Sequence, residues 1–353
     1  MEFNIHPLLL YPGALVLLAS LMPLVRHDFW IFRVFEYPRL QKLTINVLLV
    51  IALLIFQFPV TTSESIFAGL IVLNLGYLIW QVYPFTPLAK KQIITSRQQA
   101  GERNLSMLIA NVYQENRRAA DYISLIRKYS PDLVLMVETN QWWMQQMEEI
   151  TESYPHQVKV PLENTYGMML YSRLPLKENE IHYLVAADIP SIETLVQIPS
   201  GDWLRVYCLH PEPPVPQENP RSTERDKEIL IVAKKAKAST IPVVVAGDLN
   251  DVAWSYTTDL FLKISGLLDP RRGRGFFNSF NAKYLFLRFP LDHIFCSSEF
   301  TLSTIKRLPS CGSDHFPMFV NLQLDPASSH QNQELEADEA DQELADEKIN
   351  AAS

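Results

Sequence analysis

At 353 residues the chain has room for one large domain or two small ones. Its net charge of −8 is carried wholly by Asp325–Ser353, so the residues before Asp325 are neutral overall. They lack the broad basic footprint of a duplex-binding domain, and three cysteines (Cys208, Cys296, Cys311) without C-x-x-C spacing argue against a disulfide framework or zinc site.

Three stretches at the N-terminus, His6–Val25, Leu43–Val60 and Ile66–Tyr83, carry no charge, and each is long enough to cross a hydrocarbon core as a helix. None has a polar face, which disfavours reading them as buried helices of a soluble domain. Arg26, Arg33, Arg39 and Lys42 separate the first two, Glu64 alone separates the next two, and Lys90, Lys91, Arg97 and Arg103 follow the third. The positive-inside rule then places the N-terminus outside and everything after the third span in the cytoplasm. The chain divides into a membrane region with about three transmembrane helices (1–85), a polar linker (86–103), a domain (104–324) and an acidic disordered tail (325–353).

Within 104–324, apolar runs alternate with helical spacing. Leu105–Val112, Asp132–Val137, Met168–Tyr171, Thr194–Ile198, Trp203–Leu209, Val243–Ala246, Asp292–Cys296 and Met318–Leu322 read as strands. Glu115–Tyr129, Ser222–Ala236 and Thr257–Ile264 read as helices. Many strands with interleaved helices predict a layered α/β domain whose active groups sit on loops.

Polar residues close several of the apolar runs. Glu138 ends Leu133–Val137, and a carboxylate at a strand end suits a hard cation such as Mg²⁺. Asn111 lies one strand earlier, where its amide can reach Glu138 or a phosphate oxygen. In Gly247-Asp248-Leu249-Asn250, an extended chain would put Asp248 and Asn250 on one side. Asp248 would then orient or deprotonate a water, and Asn250 would hold Asp248 or a phosphate oxygen. Ser313-Asp314-His315 offers a second metal carboxylate and an imidazole, with Asp292 placed to orient His315 and His293 facing the other way. His210 is a phosphate contact or general acid.

The ordered set Asn111, Glu138, His210, Gly247-Asp248-Leu249-Asn250, Asp292 and Ser313-Asp314-His315 resembles the endonuclease/exonuclease/phosphatase superfamily over residues 104–322. The hydrophobic N-terminus, Glu138-Thr139-Asn140-Gln141-Trp142-Trp143, Asn164-Thr165-Tyr166-Gly167-Met168 and Ser172-Arg173-Leu174-Pro175 resemble its bacterial membrane-anchored members. The resemblance implies a two-sheet α/β (α+β) sandwich in a multi-pass protein of the bacterial inner membrane. It also implies Mg²⁺- or Mn²⁺-dependent cleavage of a phosphodiester or phosphomonoester. Carried over, Glu138 binds metal with Asn111 and Asp314 nearby, Asp248 activates water, Asn250 helps to bind phosphate and Asp292 orients His315.

The segment before Asp292 departs from the nuclease branches, because it lacks their Thr-Trp pair. Arg271, Arg272 and Arg274 there, with Arg225, are candidates to clamp a lipid headgroup or phosphate chain. The alternatives are a membrane-tethered nuclease acting on DNA or RNA, and a binding module of the same fold without turnover. No protein partner is inferable.

Overall fold

The computed structural model describes residues 6–56, 61–97 and 101–351. The end of the second apolar stretch (57–60) and part of the expected linker (98–100) lie outside the described residues.

Four helices open the chain: α1 (His6–Leu21), α2 (Trp30–Arg33), α3 (Arg39–Ile55) and α4 (Thr62–Val82). Thr61 starts α4 with a capping box to Glu64, and Leu9, Val16, Leu49, Leu53 and Ile71 knit α1, α3 and α4 together. Where three spanning helices are expected, one helix, Thr62–Phe85, is long and apolar enough by itself among the described residues. Trp30–Glu36 and Arg39–Ile55 qualify only as a pair bent by 65°, and Leu8–Leu24 is shorter. The reason lies at the start of α3, where Pro38 breaks the helix and Arg39, Gln41 and Lys42 occupy the first turn.

Two mixed sheets follow. The first contains β1 (Asn104–Asn111), β2 (Leu133–Val137), β3 (His156–Val160), β4 (Met168–Ser172), β10 (Phe300–Arg307) and β11 (Met318–Leu324), ordered β10-β11-β1-β2-β4-β3. The second contains β5 (Leu176–His182), β6 (Ser191–Gln197), β7 (Trp203–Leu209), β8 (Val243–Asp248) and β9 (Asp292–Cys296) in sequence order. β3, β5 and β10 were not anticipated. The charged strand β5, Leu-Lys-Glu-Asn-Glu-Ile-His, is an exposed edge, so it has no apolar alternation to read.

Each sheet has one parallel pair, β1 with β2 and β7 with β8, and their inner faces share one apolar core from Leu105, Leu135, Leu170, Val206, Val244, Ile294 and Val320. Outside the first sheet lie α5 (Ala119–Tyr129) and α6 (Gln141–Gln146); outside the second lie α7 (Thr223–Ala238), α8 (Tyr256–Ser265) and α9 (Glu339–Asn350). The three cysteines are buried and free.

The expected linker and tail both pack against the domain. Ile93 enters the inter-sheet core, the Gln92 side chain binds the Asp269 amide, and Thr95 bridges Leu302. In place of a disordered tail, Asp338 caps α9, whose Leu344, Ala345 and Ile349 join the apolar layer under α7 and α8. Lys348 makes ion pairs with Asp226 and Asp28 at 2.9 and 2.8 Å. A covered apolar stripe and a paired lysine hold this acidic helix in place.

Candidate active site

The parallel pairs deliver their C-terminal ends to the same rim of the sandwich. Asn111 closes β1, Glu138 follows β2, His210 follows β7, and Asp248 closes β8. Asp292 begins β9 directly opposite Asp248 in the antiparallel register, and Asp314 and His315 precede β11. Gly247 permits this approach of β8 to β7. Its φ is +150°, and an added Cβ would stand 1.9 Å from the Leu209 carbonyl oxygen.

One carboxamide ties the sheets together. Asn111 Nδ2 donates to Glu138 Oε1 at 2.7 Å and to Asp248 Oδ2 at 3.0 Å, while its Oδ1 accepts from the Tyr113 amide. Asp248 Oδ1 accepts from the Asn250 amide at 3.0 Å, so both oxygens of this buried carboxylate have fixed donors. His315 lies between two acids, with Nδ1 at 2.8 Å from Asp292 and Nε2 at 3.5 Å from Asp248. Burial disfavours the imidazolium, but the two carboxylates outweigh it and push the pKa up to about 10. His315 is therefore cationic at neutral pH. Ser313 Oγ accepts the His315 amide at 3.0 Å and fixes the turn, and the Ser279 hydroxyl accepts the Asp292 amide.

Asp248, Asp292 and His315 place one donor atom each within 4.8 Å of one another. Both imidazole nitrogens already face carboxylates, so this trio reads as an ion-paired relay. The chemistry of a hard cation fits Glu138 better. Burial pushes its pKa up to about 7, opposed by the Asn111 amide and His315 and reinforced by Asp248 and Asp314. Its oxygens accept only from amides, Asn111 Nδ2 and the Gln114 N–H, and no lysine or arginine pairs with it among the described residues. A half-buried carboxylate with more negative than positive charge around it, on a backbone held at φ +58°, could hold a hard divalent cation.

His210 is buried, and its Nδ1 has no hydrogen-bond partner among the described residues. Burial drives its pKa down to about 4 despite Asp248 nearby, so the neutral imidazole is favoured at this position. Asn250 reaches the cleft differently from the extended-chain expectation. Its φ is +49°, the strand ends at Asp248, and its Nδ2 donates to the Pro211 carbonyl at 3.0 Å. His293 has the structural place expected, between Arg271 and the Asp251 carbonyl.

The four candidate clamp arginines are braces. Arg271 is 2% exposed and pairs with Asp269 at 2.8 Å, His293 at 2.7 Å and the Asp292 carbonyl. Arg225 is 1% exposed, pairs with Asp226 and Asp251, and donates to the Asn250 carbonyl at 2.8 Å. Arg272 binds Asp259 and covers the Phe85 ring, while Arg274 binds the Ile93 and Pro270 carbonyls. Buried carboxylates at Asp226, Asp251 and Asp269 need counter-charge, and Arg225 and Arg271 supply it.

A model of the endonuclease/exonuclease/phosphatase family matches residues 108–315, from the middle of β1 to the relay histidine. The chain belongs to this family. Members of the endonuclease/exonuclease/phosphatase family are typically hydrolytic phosphoesterases or nucleases and generally use divalent metals, typically Mg²⁺. Among solved structures of this fold, D. rerio TDP2 complexed with single strand DNA product is 21% identical, covering 62% of this chain and 99% of that one, with a TM-score of 0.53. The family protein from Beutenbergia cavernae is 16% identical, covering 63% and 72%, with a TM-score of 0.51. That from Bacteroides thetaiotaomicron is 18% identical, covering 64% and 100%, with a TM-score of 0.50. A search of curated sequences returns no match.

Several side chains around this family site escape sequence reasoning. Gln114 donates to the Glu163 carbonyl and accepts the Thr165 amide, locking the loop beside Glu138. Phe280 lies 4.9 Å from the His315 ring, and Tyr166 lies 5.6 Å from that of His210. Tyr37, from the N-terminal region, donates to the Asn250 carbonyl at 2.9 Å. Tyr166 lies in the Asn164–Met168 segment already noted, but its place against His210, like the places of Gln114, Phe280 and Tyr37, is identified by contact alone.

Proposed function

We propose that the protein is a membrane-anchored, divalent-metal-dependent phosphoesterase of the family's bacterial membrane-anchored branch. The observation that carries this reading is the interlock of Glu138, Asn111, Asp248, His315 and Asp292 across the two sheets. Glu138, with Asp314 and Asn111 nearby, would hold Mg²⁺ or Mn²⁺. When bound, the cation supplies charge neutralisation at the phosphate and the leaving oxygen.

The side chains perform the rest. Asp248 is held by Asn111 and the Asn250 amide, and it accepts the proton of a water whose oxygen attacks phosphorus in line. The P–O bond to the leaving group breaks as the new one forms. Imidazolium at His315, fixed through Nδ1 by Asp292, stabilises charge on the transferring phosphoryl group. Neutral His210 has hydrogen-bonding capacity left for a phosphate oxygen.

Membrane anchoring is supported by the outer surfaces of α1, α3 and α4. Leu8, Tyr11, Leu15, Leu48, Leu54, Ile66, Leu73 and Trp80 are all exposed, and 22% of the most apolar window of α4 is buried. A core helix of a soluble domain would show the reverse. The 26–38 loop and the end of α4 both dock on the catalytic domain, through Arg33 with Asp226, Trp254 Nε1 with the Glu36 carbonyl, and Phe85 against Trp254. That common side agrees with the cytoplasmic placement drawn from the basic loops, in the bacterial inner membrane.

The purified full chain is expected to hydrolyse p-nitrophenyl phosphodiesters or monoesters only with Mg²⁺ or Mn²⁺ present. Glu138→Ala and Asp248→Ala are each expected to lower kcat by at least about 10²-fold. Undiminished metal-dependent turnover in both variants contradicts the reading.

A further inference from the structure

The segment 280–289 leaves the catalytic site, turns at the protein surface and returns. At its root, the Phe280 amide donates to the Phe289 carbonyl, the Phe280 ring lies against His315, and the Ala282 amide donates to the Asp314 carbonyl at 2.6 Å. At its tip, four consecutive apolar residues face outward: Tyr284, Leu285 (65% exposed), Phe286 (83%) and Leu287. Exposing such a contiguous apolar run to water is unfavourable, and it marks a surface that meets something apolar.

The tip sits beside the N-terminal helices. Gln41 Nε2, in the first turn of α3, donates to the Phe286 carbonyl at 2.6 Å. Leu40, Gln41, Thr44 and Ile45 of α3 form one wall of a cavity of about 500 Å³, and Leu285 and Phe286 form part of the other. The exposed Ile45, Leu48 and Ile51 continue the same apolar surface along α3. Lys283, Arg288 and Arg307 flank the tip. They stack on Tyr113 and Phe316, and none makes an ion pair with a carboxylate among the described residues. Apolar residues level with the end of a spanning helix, ringed by unpaired cations, are complementary to an anionic bilayer surface.

We propose that residues 283–288 insert into the bilayer interface and that the substrate is an anionic amphiphile, a phosphate ester whose chains remain among the lipids. This rests on the phosphoesterase and membrane-anchor readings above. The tip samples the lipid surface, and its root touches His315 and Asp314, so a phosphate at headgroup depth lies next to the relay. Leu285 and Leu287 offer a base no stacking face, whereas acyl chains are complementary to all four tip residues.

Two measurements on the full chain in vesicles of phosphatidylethanolamine and phosphatidylglycerol test this. In the first, Phe286→Cys carries an environment-sensitive fluorophore, with the exposed Tyr183→Cys as control. Quenching at 286 by nitroxide-labelled acyl chains and shielding from aqueous iodide are expected; iodide quenching equal to that at 183 overturns the proposal.

In the second, hexadecyl p-nitrophenyl phosphate in vesicles is compared with soluble methyl p-nitrophenyl phosphate. Leu285→Asp with Phe286→Asp is expected to lower kcat/KM for the first ester by at least about tenfold and for the second by less than about twofold. Phe286→Ala is expected to act in the same direction. An equal fall on both esters, or on neither, overturns the proposal. The corresponding pair of monoesters, hexadecyl phosphate in vesicles and soluble methyl phosphate, is run alongside; if the parent chain turns over none of the four, the phosphoesterase reading fails and the quenching measurement still decides insertion.

Discussion

Asn111 satisfies two carboxylates from different sheets, and an aspartate in its place would add a third negative charge without the two donors. Asn111→Asp is expected to lower kcat by at least about 10²-fold in steady-state assays. Glu228, on α7, is fully buried with neither oxygen hydrogen-bonded among the described residues, and burial raises its pKa from 4.5 to about 8. The folded state therefore binds a proton that the unfolded state releases at lower pH. Stability from this group is complete below pH 4.5 and is lost as pH rises towards 8. Glu228→Gln is expected to melt at increasingly higher temperature than the parent between those limits, in thermal scans; a pH-independent difference contradicts the assignment.

Among the elements, α9 marks the limit of what composition conveys. Its Glu/Asp density suggests a solvated tail, while Leu344, Ala345, Lys348 and Ile349 make a stripe that only the faces of α7 and α8 explain. Lys348→Met leaves Asp226 with Arg33 and Arg225 as its cations and the Ser222 hydroxyl as a donor, and is expected to destabilise the full chain by about 1–3 kcal/mol in denaturant titration. The site shows the same division between what is local and what is not. Glu138, Asp248 and Asp292 stand in the sequence at the ends of apolar runs and His315 in the Ser313-Asp314-His315 motif, so they could be singled out before any contact was seen. The roles of Arg225 and Arg271 could not be, because their carboxylate partners determine them and pairing is invisible in a linear reading. Asn250 lies away from its expected place because the strand period stops at Asp248, and the chain turns through a residue at φ +49°.

At the scale of the whole molecule, the catalytic sandwich and the N-terminal helices share a contact that reaches the site, through Tyr37 to the Asn250 carbonyl and Arg33 to Asp226. The N-terminal helices thus help to shape the cleft. A C-terminal alkaline phosphatase fusion in a bacterial host is expected to be inactive, as a cytoplasmic domain requires; high fusion activity would invert the topology.

Central to the proposed mechanism is a division of labour in which Glu138 holds the cation and Asp248 handles the water. Mn²⁺ binding to the full chain, followed by electron paramagnetic resonance, separates the two roles. Saturable binding is predicted, weakened at least about tenfold by Glu138→Gln and retained by an Asp248→Asn variant that has lost turnover. Mn²⁺ binding that survives Glu138→Gln unchanged, or disappears in Asp248→Asn, would contradict it.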